Sequence, residues 1–127
     1  MALVLIIEDN PANLALMEYL LKAFGHDVRT ATGALAGVER ATEMPPDVVL
    51  VDLHMPGPDG FEAARLIRAH ERTAAVPLVA VTASAMVGDR DMILARGFDG
   101  YIGKPITPET FVEQVERFLR PASGDTA

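Results

Sequence analysis

The sequence predicts an α/β domain in which one parallel β-sheet carries helices on both faces. Five short apolar runs, mostly β-branched, recur along the 127 residues, and helical patterns lie between them. Three of the runs are almost purely apolar, as strands buried on both faces of a parallel sheet are. A strand followed by a helix, repeated five times with short connections, requires parallel strands and helices on both sides of the sheet.

The strands are predicted from the apolar runs, which are bounded by turn-forming or charged residues. The first, third and fourth runs lack the polar alternation of a half-exposed strand, so the centre of the sheet is expected to be fully buried. The five predicted strands are Leu3–Ile7, 28–32, 48–51, 78–81 and 101–102.

The helices are predicted from apolar residues at helical spacing and from their start and stop signals. Asn10 and Thr107 each stand before a proline, the arrangement of a capping residue followed by proline at the first helical position. Gly25 and Gly97 follow two helical stretches, where a left-handed cap is expected. The stretch 33–43 is the weakest helix because it contains two glycines, and 86–96 is more polar than the others.

Several single residues have structural interpretations. Asp59 and Glu62 have the spacing of a capping box at the start of the third helix, and Gly60 is expected to relieve crowding there. His26 and His70 are expected at the surface near helix ends, without a ligand role.

Length and composition limit the possible functions. A chain of 127 residues with 50% hydrophobic residues fits one domain, expected over residues 1–120, with a small polar tail at 121–127. Cysteine is absent, which excludes disulfides and thiolate metal sites. The net charge of −7 argues against direct binding of nucleic acid. The short N-terminal apolar run ends in two acids, so neither a signal peptide nor a membrane span is predicted and a cytoplasmic location is expected.

Polar side chains follow four of the predicted strands. Glu8 and Asp9 follow the first strand, Asp52 the third, Thr82 the fourth, and Lys104 comes after the fifth. In an open α/β sheet, ligands bind beyond the carboxyl ends of the strands, near the point where the strand order changes. The five side chains are therefore expected to meet in one cleft.

The chemistry of these side chains suits phosphoryl transfer. Three crowded carboxylates repel one another unless cations intervene, and a hard divalent ion such as Mg²⁺ prefers oxygen ligands. A metal ion and the Lys104 ammonium would neutralise phosphoryl oxygens while a carboxylate attacks in line. The Thr82 hydroxyl is able to donate a hydrogen bond to a phosphoryl oxygen.

Four motifs together resemble the response-regulator receiver domains of bacterial two-component systems, in the order and spacing of that family. They read V-L-I-I-E-D-N-P-A-N, V-V-L-V-D-L-H-M-P-G-P-D-G, V-A-V-T-A-S-A-M and G-Y-I-G-K-P-I, and the resemblance runs from about Leu3 to Leu119. It implies a flavodoxin-like (βα)5 fold, a three-layer α/β/α arrangement with strand order 2-1-3-4-5. Within the family, the chain looks most like single-domain cell-cycle regulators of the DivK type and the receivers of hybrid histidine kinases.

The resemblance implies roles for the acidic residues. Asp52 would be the phosphoacceptor. Asp9 and Asp52 would bind Mg²⁺ directly, Glu8 would act mainly through a metal-bound water, and His54 would add its main-chain carbonyl. Mn²⁺ is expected to substitute for Mg²⁺. Glutamate in place of aspartate at position 8 is common in the family, and this exchange should change only the water-mediated contact.

The resemblance also implies roles for the remaining site residues. Lys104 would pair with the phosphoryl group, Thr82 would swing toward it, and Ala83 would keep its approach open. Tyr101 matches the switch aromatic that turns inward when the threonine moves, and Lys104-Pro105 is expected to be a cis peptide. His54 and Ser84 occupy positions that tune dephosphorylation.

The function implied is that of a signalling protein rather than of a conventional enzyme. A sensor histidine kinase or a histidine phosphotransfer protein would supply the phosphoryl group. A downstream protein would bind the surface formed by the fourth helix, fifth strand and fifth helix. Met1 and the short tail favour a complete single-domain regulator. A receiver excised from a hybrid kinase or larger regulator, or a carrier within a phosphorelay, is the alternative.

Three rival functions remain open from the residues themselves. A flavodoxin-like redox protein would need a glycine- and hydroxyl-rich loop where Glu8-Asp9-Asn10-Pro11 stands. An aspartyl-phosphate phosphohydrolase would usually have a second acid where His54 stands. A degenerate receiver that acts only through binding would not need the intact set of site residues.

Overall fold

The computed structural model describes residues 2–83 and 87–119, apart from the side chains of Val87 and Gly88. The predicted tail, together with Ser84 and Met86, lies outside the described residues. Strands and helices alternate five times, as predicted. The elements in chain order are β1 (Leu3–Ile7), α1 (Pro11–Ala23), β2 (Asp27–Ala31), α2 (Ala34–Glu43), β3 (Val48–Asp52), α3 (Gly60–Ala69), β4 (Leu78–Thr82), α4 (Val87–Ala95), β5 (Gly100–Gly103) and α5 (Pro108–Glu116).

The five strands form one parallel sheet in the order β2-β1-β3-β4-β5. This confirms the predicted fold class and strand order. The chain moves outward from β1 to β2 and then crosses back to β3, so β1 and β3 are neighbours at the point where the order changes. Ile7 pairs with Val51 there, which brings the ends of both strands to the same height.

Two apolar cores separate the sheet from its helices, one on each face. Every residue of β3 and β4 is buried, which explains why their sequences do not alternate. On one face, side chains of α1 and α5 such as Met17 and Phe111 pack on the sheet. On the other, side chains of α2, α3 and α4 such as Ile67 and Ile93 do so. The result is the three-layer arrangement expected from the sequence.

The outer strand β2 begins and ends one residue earlier than predicted. It runs over Asp27–Ala31 instead of 28–32. The Asp27 N–H donates to the Ala2 carbonyl, 2.9 Å away, and the Glu8 N–H donates to the Ala31 carbonyl at 3.0 Å. Pairing with β1 therefore sets both ends of β2, and an apolar run in a single strand does not reveal such pairing.

Capping agrees with prediction at α1 and only in part at two other helices. The Asn10 side chain accepts from two N–H groups of α1, and the Asp59 side chain accepts from the N–H groups of Phe61 and Glu62. Glu62 instead pairs with Arg65 through two hydrogen bonds, of 3.0 and 2.6 Å. Only half of the predicted capping box forms, because the guanidinium binds the second carboxylate.

The N-terminal cap of α5 forms only in part. Pro108 is the first helical residue, as predicted, but the Thr107 side chain makes no capping hydrogen bond. Gly25 and Gly97 both have positive φ angles, of 88° and 104°, which confirms the predicted left-handed caps after α1 and α4.

His26 is buried, so its predicted surface position is wrong, whereas His70 is exposed as predicted. The Ala2 N–H donates to Nδ1 of His26 at 3.2 Å, and Nε2 lies 2.9 Å from a carboxylate oxygen of Glu116. Since Nδ1 accepts a hydrogen bond, Nε2 carries the ring proton, and this N–H donates a hydrogen bond to Glu116. His26 thus joins the start of β1 to the end of α5.

No helix in the described part of the chain has the length and apolar content needed to cross a membrane.

Gly60, the first residue of α3, lies against the backbone that carries Asp52. A Cβ added to Gly60 would meet the Asp52 carbonyl oxygen and would lie 2.8 Å from the Leu53 Cα. Both obstacles are main-chain atoms at the buried end of β3, and main chain in this position cannot move aside cheaply. The prediction that Gly60 relieves crowding is confirmed.

Replacing Gly60 with Ala is expected to lower the free energy of unfolding by about 1–3 kcal/mol, because the new methyl group overlaps main-chain atoms. Urea unfolding of the purified variant measures this. Gly103→Ala is the matched control, since nothing lies within 4 Å of a Cβ at Gly103, and it should change stability by no more than about 0.5 kcal/mol. Equal stability of the two variants would contradict the crowding at Gly60.

Candidate functional site

The polar residues singled out in the sequence come together at the carboxyl edge of the sheet. Glu8 and Asp9 directly follow β1, and Asp52 and Thr82 are the last residues of β3 and β4. Lys104 follows β5, and its N–H donates to the Thr82 carbonyl at 2.9 Å. Four neighbouring strands thus deliver all five residues to one cleft, as predicted.

The acidic residues form a compact cluster. Glu8, Asp9 and Asp52 each offer a carboxylate oxygen within 4.8 Å of the other two. Glu8 has no exposed surface and Asp52 is only 3% exposed, whereas Asp9 is half-buried. The Asn10 N–H donates to Glu8 at 3.1 Å. Hard oxygen donors in this arrangement are the ligands that a divalent cation such as Mg²⁺ prefers.

Lys104 carries the positive charge that faces this cluster. Its ammonium lies 3.3 Å from a carboxylate oxygen of Glu8 and 3.4 Å from one of Asp52. The Lys104–Pro105 peptide bond is cis, as the resemblance implied. One lysine therefore stands between two carboxylates from two different strands, a position that also suits contact with a bound anion.

The carboxyl group of Glu8 ionises less readily than that of an exposed glutamate. Burial, a hydrogen bond with Asp52 and the negative charge of Asp52 raise the pKa of its carboxyl group, which lies at about 7 overall. The Asn10 N–H and the Lys104 ammonium act in the opposite direction. The Glu8 Oε1 is fully buried and makes no hydrogen bond, and the Lys104 ammonium lies 3.3 Å from it. Three carboxylates thus face one ammonium, and a divalent cation would supply the further positive charge, so the residues present fit a metal ion.

Thr82 lies beside the acidic cluster, fully buried at the end of β4. Its hydroxyl oxygen is 3.5 Å from Nε2 of His54, whose side chain belongs to the loop after β3. The His54 N–H donates to Asp52 at 3.1 Å. The sequence indicated a main-chain role for His54 but not the contact of its ring with Thr82. Nothing in the local pattern reveals it, because His54 follows β3 whereas Thr82 ends β4, so the two residues are 28 positions apart in the chain. Ala83, the next residue, is exposed.

Tyr101 lies further from the acidic cluster, in β5. Its ring is half-buried and packs against the core on the α2, α3 and α4 side of the sheet. The Arg90 guanidinium of α4 lies over the ring, 5.6 Å from its centre, a cation–π contact. Tyr101 thus packs between the apolar core on this face of the sheet and the Arg90 side chain of α4.

The sequence of the chain matches one protein family over residues 4–116, that of the response regulator receiver domain. The chain is a receiver domain. Receiver domains are signalling modules of two-component and phosphorelay systems, in which they work with histidine kinases and downstream proteins. This membership confirms the resemblance seen in the four motifs and favours a receiver over a flavin-binding redox protein or a phosphohydrolase.

Two relatives represent the two contexts in which similar sequences occur. The polar-differentiation response regulator DivK of Brucella ovis is 37% identical over 120 residues, which are 94% of this chain and 97% of DivK. The signal transduction histidine-protein kinase BarA of Escherichia coli is 38% identical over 121 residues, 95% of this chain. The receiver spans only 13% of the length of BarA.

A solved structure supports the fold and the nature of the cleft. The receiver domain of the sensor histidine kinase PA1611 from Pseudomonas aeruginosa matches with a TM-score of 0.84 and 33% identity. The match covers 92% of this chain and 96% of that domain. That structure holds a magnesium ion in its active-site cleft.

The raised pKa of Glu8 predicts a pH dependence of stability in the metal-free protein. The folded state keeps the Glu8 proton up to about pH 7, whereas the unfolded chain releases it near 4.5. The folded state therefore binds more protons between these values, and the Glu8 contribution to stability is lost as pH rises through this window. We expect Glu8→Gln, which cannot ionise, to lose less stability than the wild type between pH 5 and pH 8.

Urea unfolding in the presence of a chelator gives the free energy of unfolding of both proteins at each pH. The difference between the two values removes the contribution of other titrating groups. Adding Mg²⁺ at pH 8 should restore stability to the wild type more than to Glu8→Gln, because the cation replaces the proton. Parallel pH profiles for the two proteins would show that Glu8 does not titrate in this window.

Proposed function

We propose that Asp52 accepts a phosphoryl group from a phosphohistidine, carried by a sensor histidine kinase or a histidine phosphotransfer protein. The observation that supports this most is the position of Lys104, whose ammonium contacts Asp52 and Glu8 within a buried acidic cluster. The function is that of a response regulator receiver, with self-phosphorylation and slow self-dephosphorylation as its only reactions.

Three features favour Asp52 as the acceptor among the three acids. Glu8 has no exposed surface on which a phosphoryl donor could approach its carboxyl group, whereas Asp52 keeps 3% of its surface exposed. Asp9 is not among the residues in contact with Lys104. The Asp52 carboxylate lies 3.4 Å from the Lys104 ammonium, which would also face the oxygens of a phosphoryl group bound there.

The residues divide the chemistry among them. Glu8, Asp9, Asp52 and the main-chain carbonyl of His54 would hold Mg²⁺, or Mn²⁺ in its place. When bound, the ion neutralises charge on the phosphoryl oxygens. A carboxylate oxygen of Asp52 forms the new bond to phosphorus as the phosphorus–nitrogen bond of the donor breaks. The donor imidazole keeps the electron pair of that bond, and the phosphoryl group becomes an acyl phosphate on Asp52.

The same site would convert phosphorylation into a change of partner. In this proposal the Thr82 hydroxyl turns toward the phosphoryl group, with Ala83 leaving its approach open. Tyr101 follows Thr82 inward, and the surface of α4, β5 and α5 changes its affinity for a downstream protein. Such a response is a shift between two populated states, driven by the preference of the phosphoryl group for one of them.

The two kinds of relative suggest two arrangements, a free single-domain protein or a receiver within a larger one. We favour a single-domain regulator like DivK, which the alignment covers almost entirely. A receiver within a hybrid kinase, as in BarA, or a carrier within a phosphorelay is the alternative. We place the domain in the cytoplasm, where it would bind proteins and neither nucleic acid nor membrane. Phosphotransfer profiling against the histidine kinases of its source would identify the partner.

Substitution of Asp52 by Asn is expected to abolish phosphorylation, because an amide oxygen cannot form the acyl phosphate. The protein is incubated with phosphoramidate and Mg²⁺, and intact mass spectrometry counts the phosphoryl groups added. The wild type should gain one. Asp27→Asn is the matched control, since Asp27 is exposed at the opposite edge of the sheet, and it should be labelled like the wild type. Full labelling of Asp52→Asn would refute the acceptor assignment.

Lys104 offers a second test, because the chain contains just one other lysine, Lys22. Lys104→Gln should slow labelling by phosphoramidate on the order of 100-fold, since it removes a cation from the developing charge. Lys22 is exposed and pairs with Glu18 on the surface of α1, so Lys22→Gln should stay within about twofold of the wild-type rate. Equal rates for both variants would argue that Lys104 only offsets the buried carboxylates.

A further inference from the structure

The contact between His54 and Thr82 has no part in the function proposed above. The Thr82 hydroxyl oxygen lies 3.5 Å from His54 Nε2, among other contacts that Thr82 makes. The His54 side chain is exposed, whereas Thr82 is fully buried. An imidazole from the loop after β3 therefore reaches across to the hydroxyl at the end of the neighbouring strand.

His54 touches both groups that would meet a phosphoryl group. Its main-chain N–H donates to Asp52 Oδ1 at 3.1 Å, and its ring lies against the Thr82 hydroxyl. The main-chain bond keeps the base of the side chain in place. The position of the ring, and with it the contact with Thr82, then depends only on the torsions of this one side chain.

A cavity beside the contact provides space for the ring or the threonine to move. It has a volume of about 140 Å³ and is lined by both His54 and Thr82, together with Phe61, Met92 and Ile93. Protein interiors are otherwise closely packed, and moving a side chain into filled space is costly. Here the contact can break without displacing the surrounding core.

We propose that His54 is a positioning residue that restrains the Thr82 hydroxyl in the unphosphorylated domain. This inference rests on the proposed function, since it concerns the regulation of the same site. A phosphoryl group on Asp52 would compete with the imidazole for the hydroxyl, and its charged oxygens form the stronger hydrogen bond. The restraint opposes the change of Thr82 until a phosphoryl group is present, and it lowers the affinity of the site for that group.

The test compares binding of beryllofluoride, a non-covalent mimic of the phosphoryl group, at saturating Mg²⁺ so that metal affinity does not contribute. His54→Phe keeps a ring but loses the nitrogen, and it should bind beryllofluoride about 2- to 10-fold more tightly than the wild type. His54→Gln places an amide group at a reach similar to that of Nε2 and should restore the wild-type affinity. Titration followed by NMR of backbone amides measures each constant.

A second background tests whether the effect acts through the hydroxyl. Thr82→Val keeps the shape of the side chain and removes the hydroxyl. In that background, His54→Phe should change beryllofluoride affinity by less than about twofold. An equal gain in both backgrounds, or no gain in the wild-type background, would overturn the proposal, because the ring would then act on the site by another route.

Urea unfolding without any ligand is then measured for the wild type, His54→Phe, Thr82→Val and the double variant. The double-mutant cycle should show favourable coupling between His54 and Thr82 in the unliganded domain. Absence of coupling in a protein that is labelled normally on Asp52 would refute the restraint and leave the acceptor assignment intact. Coupling without labelling of the wild type would refute the acceptor assignment instead. If the proteins show no coupling and the wild type is not labelled, both the restraint and the acceptor assignment are refuted.

Discussion

The burial of two carboxylates at the end of the central strands is the constraint on which the rest of the site depends. Glu8 and Asp52 have almost no contact with water, and a buried charge is strongly unfavourable unless it is compensated. The Lys104 ammonium lies within 3.4 Å of both, but one positive charge cannot balance three acids. The site is therefore suited to further positive charge, which a divalent cation held by the three carboxylates would supply.

The strand order explains how so few residues produce this arrangement. The site residues lie at the ends of β1, β3, β4 and β5, which are four successive neighbours in the sheet. The strand β2, beyond β1 at the edge of the sheet, contributes none of them. Because all the strands are parallel, their carboxyl ends lie along one edge. Residues 8, 52, 82 and 104 are far apart in the chain and become neighbours through this order alone.

The site combines a rigid centre with an adjustable rim. Each residue of β3 and β4 is buried, so the main chain that carries Asp52 and Thr82 is firmly held. Around it, the ring of His54 is exposed and that of Tyr101 is half-buried beside Arg90. Side chains of this kind change rotamer without disturbing a core. The fixed centre suits the chemistry proposed, and the rim suits the transmission of its outcome to a partner.

The amino-acid sequence alone determined the fold class and, through resemblance, the strand order. It also predicted which polar residues meet at the carboxyl edge of the sheet, because apolar runs and the polar residues that end them are local patterns. Tertiary structure decided what depends on distant partners. Pairing with β1 shifted β2 by one residue, and contacts with Ala2 and Glu116 buried His26. The raised pKa of Glu8 and the contact of His54 with Thr82 likewise arise between residues that the sheet brings together from distant parts of the chain. Burial and electrostatic interaction act through space, and spacing along a chain does not record them.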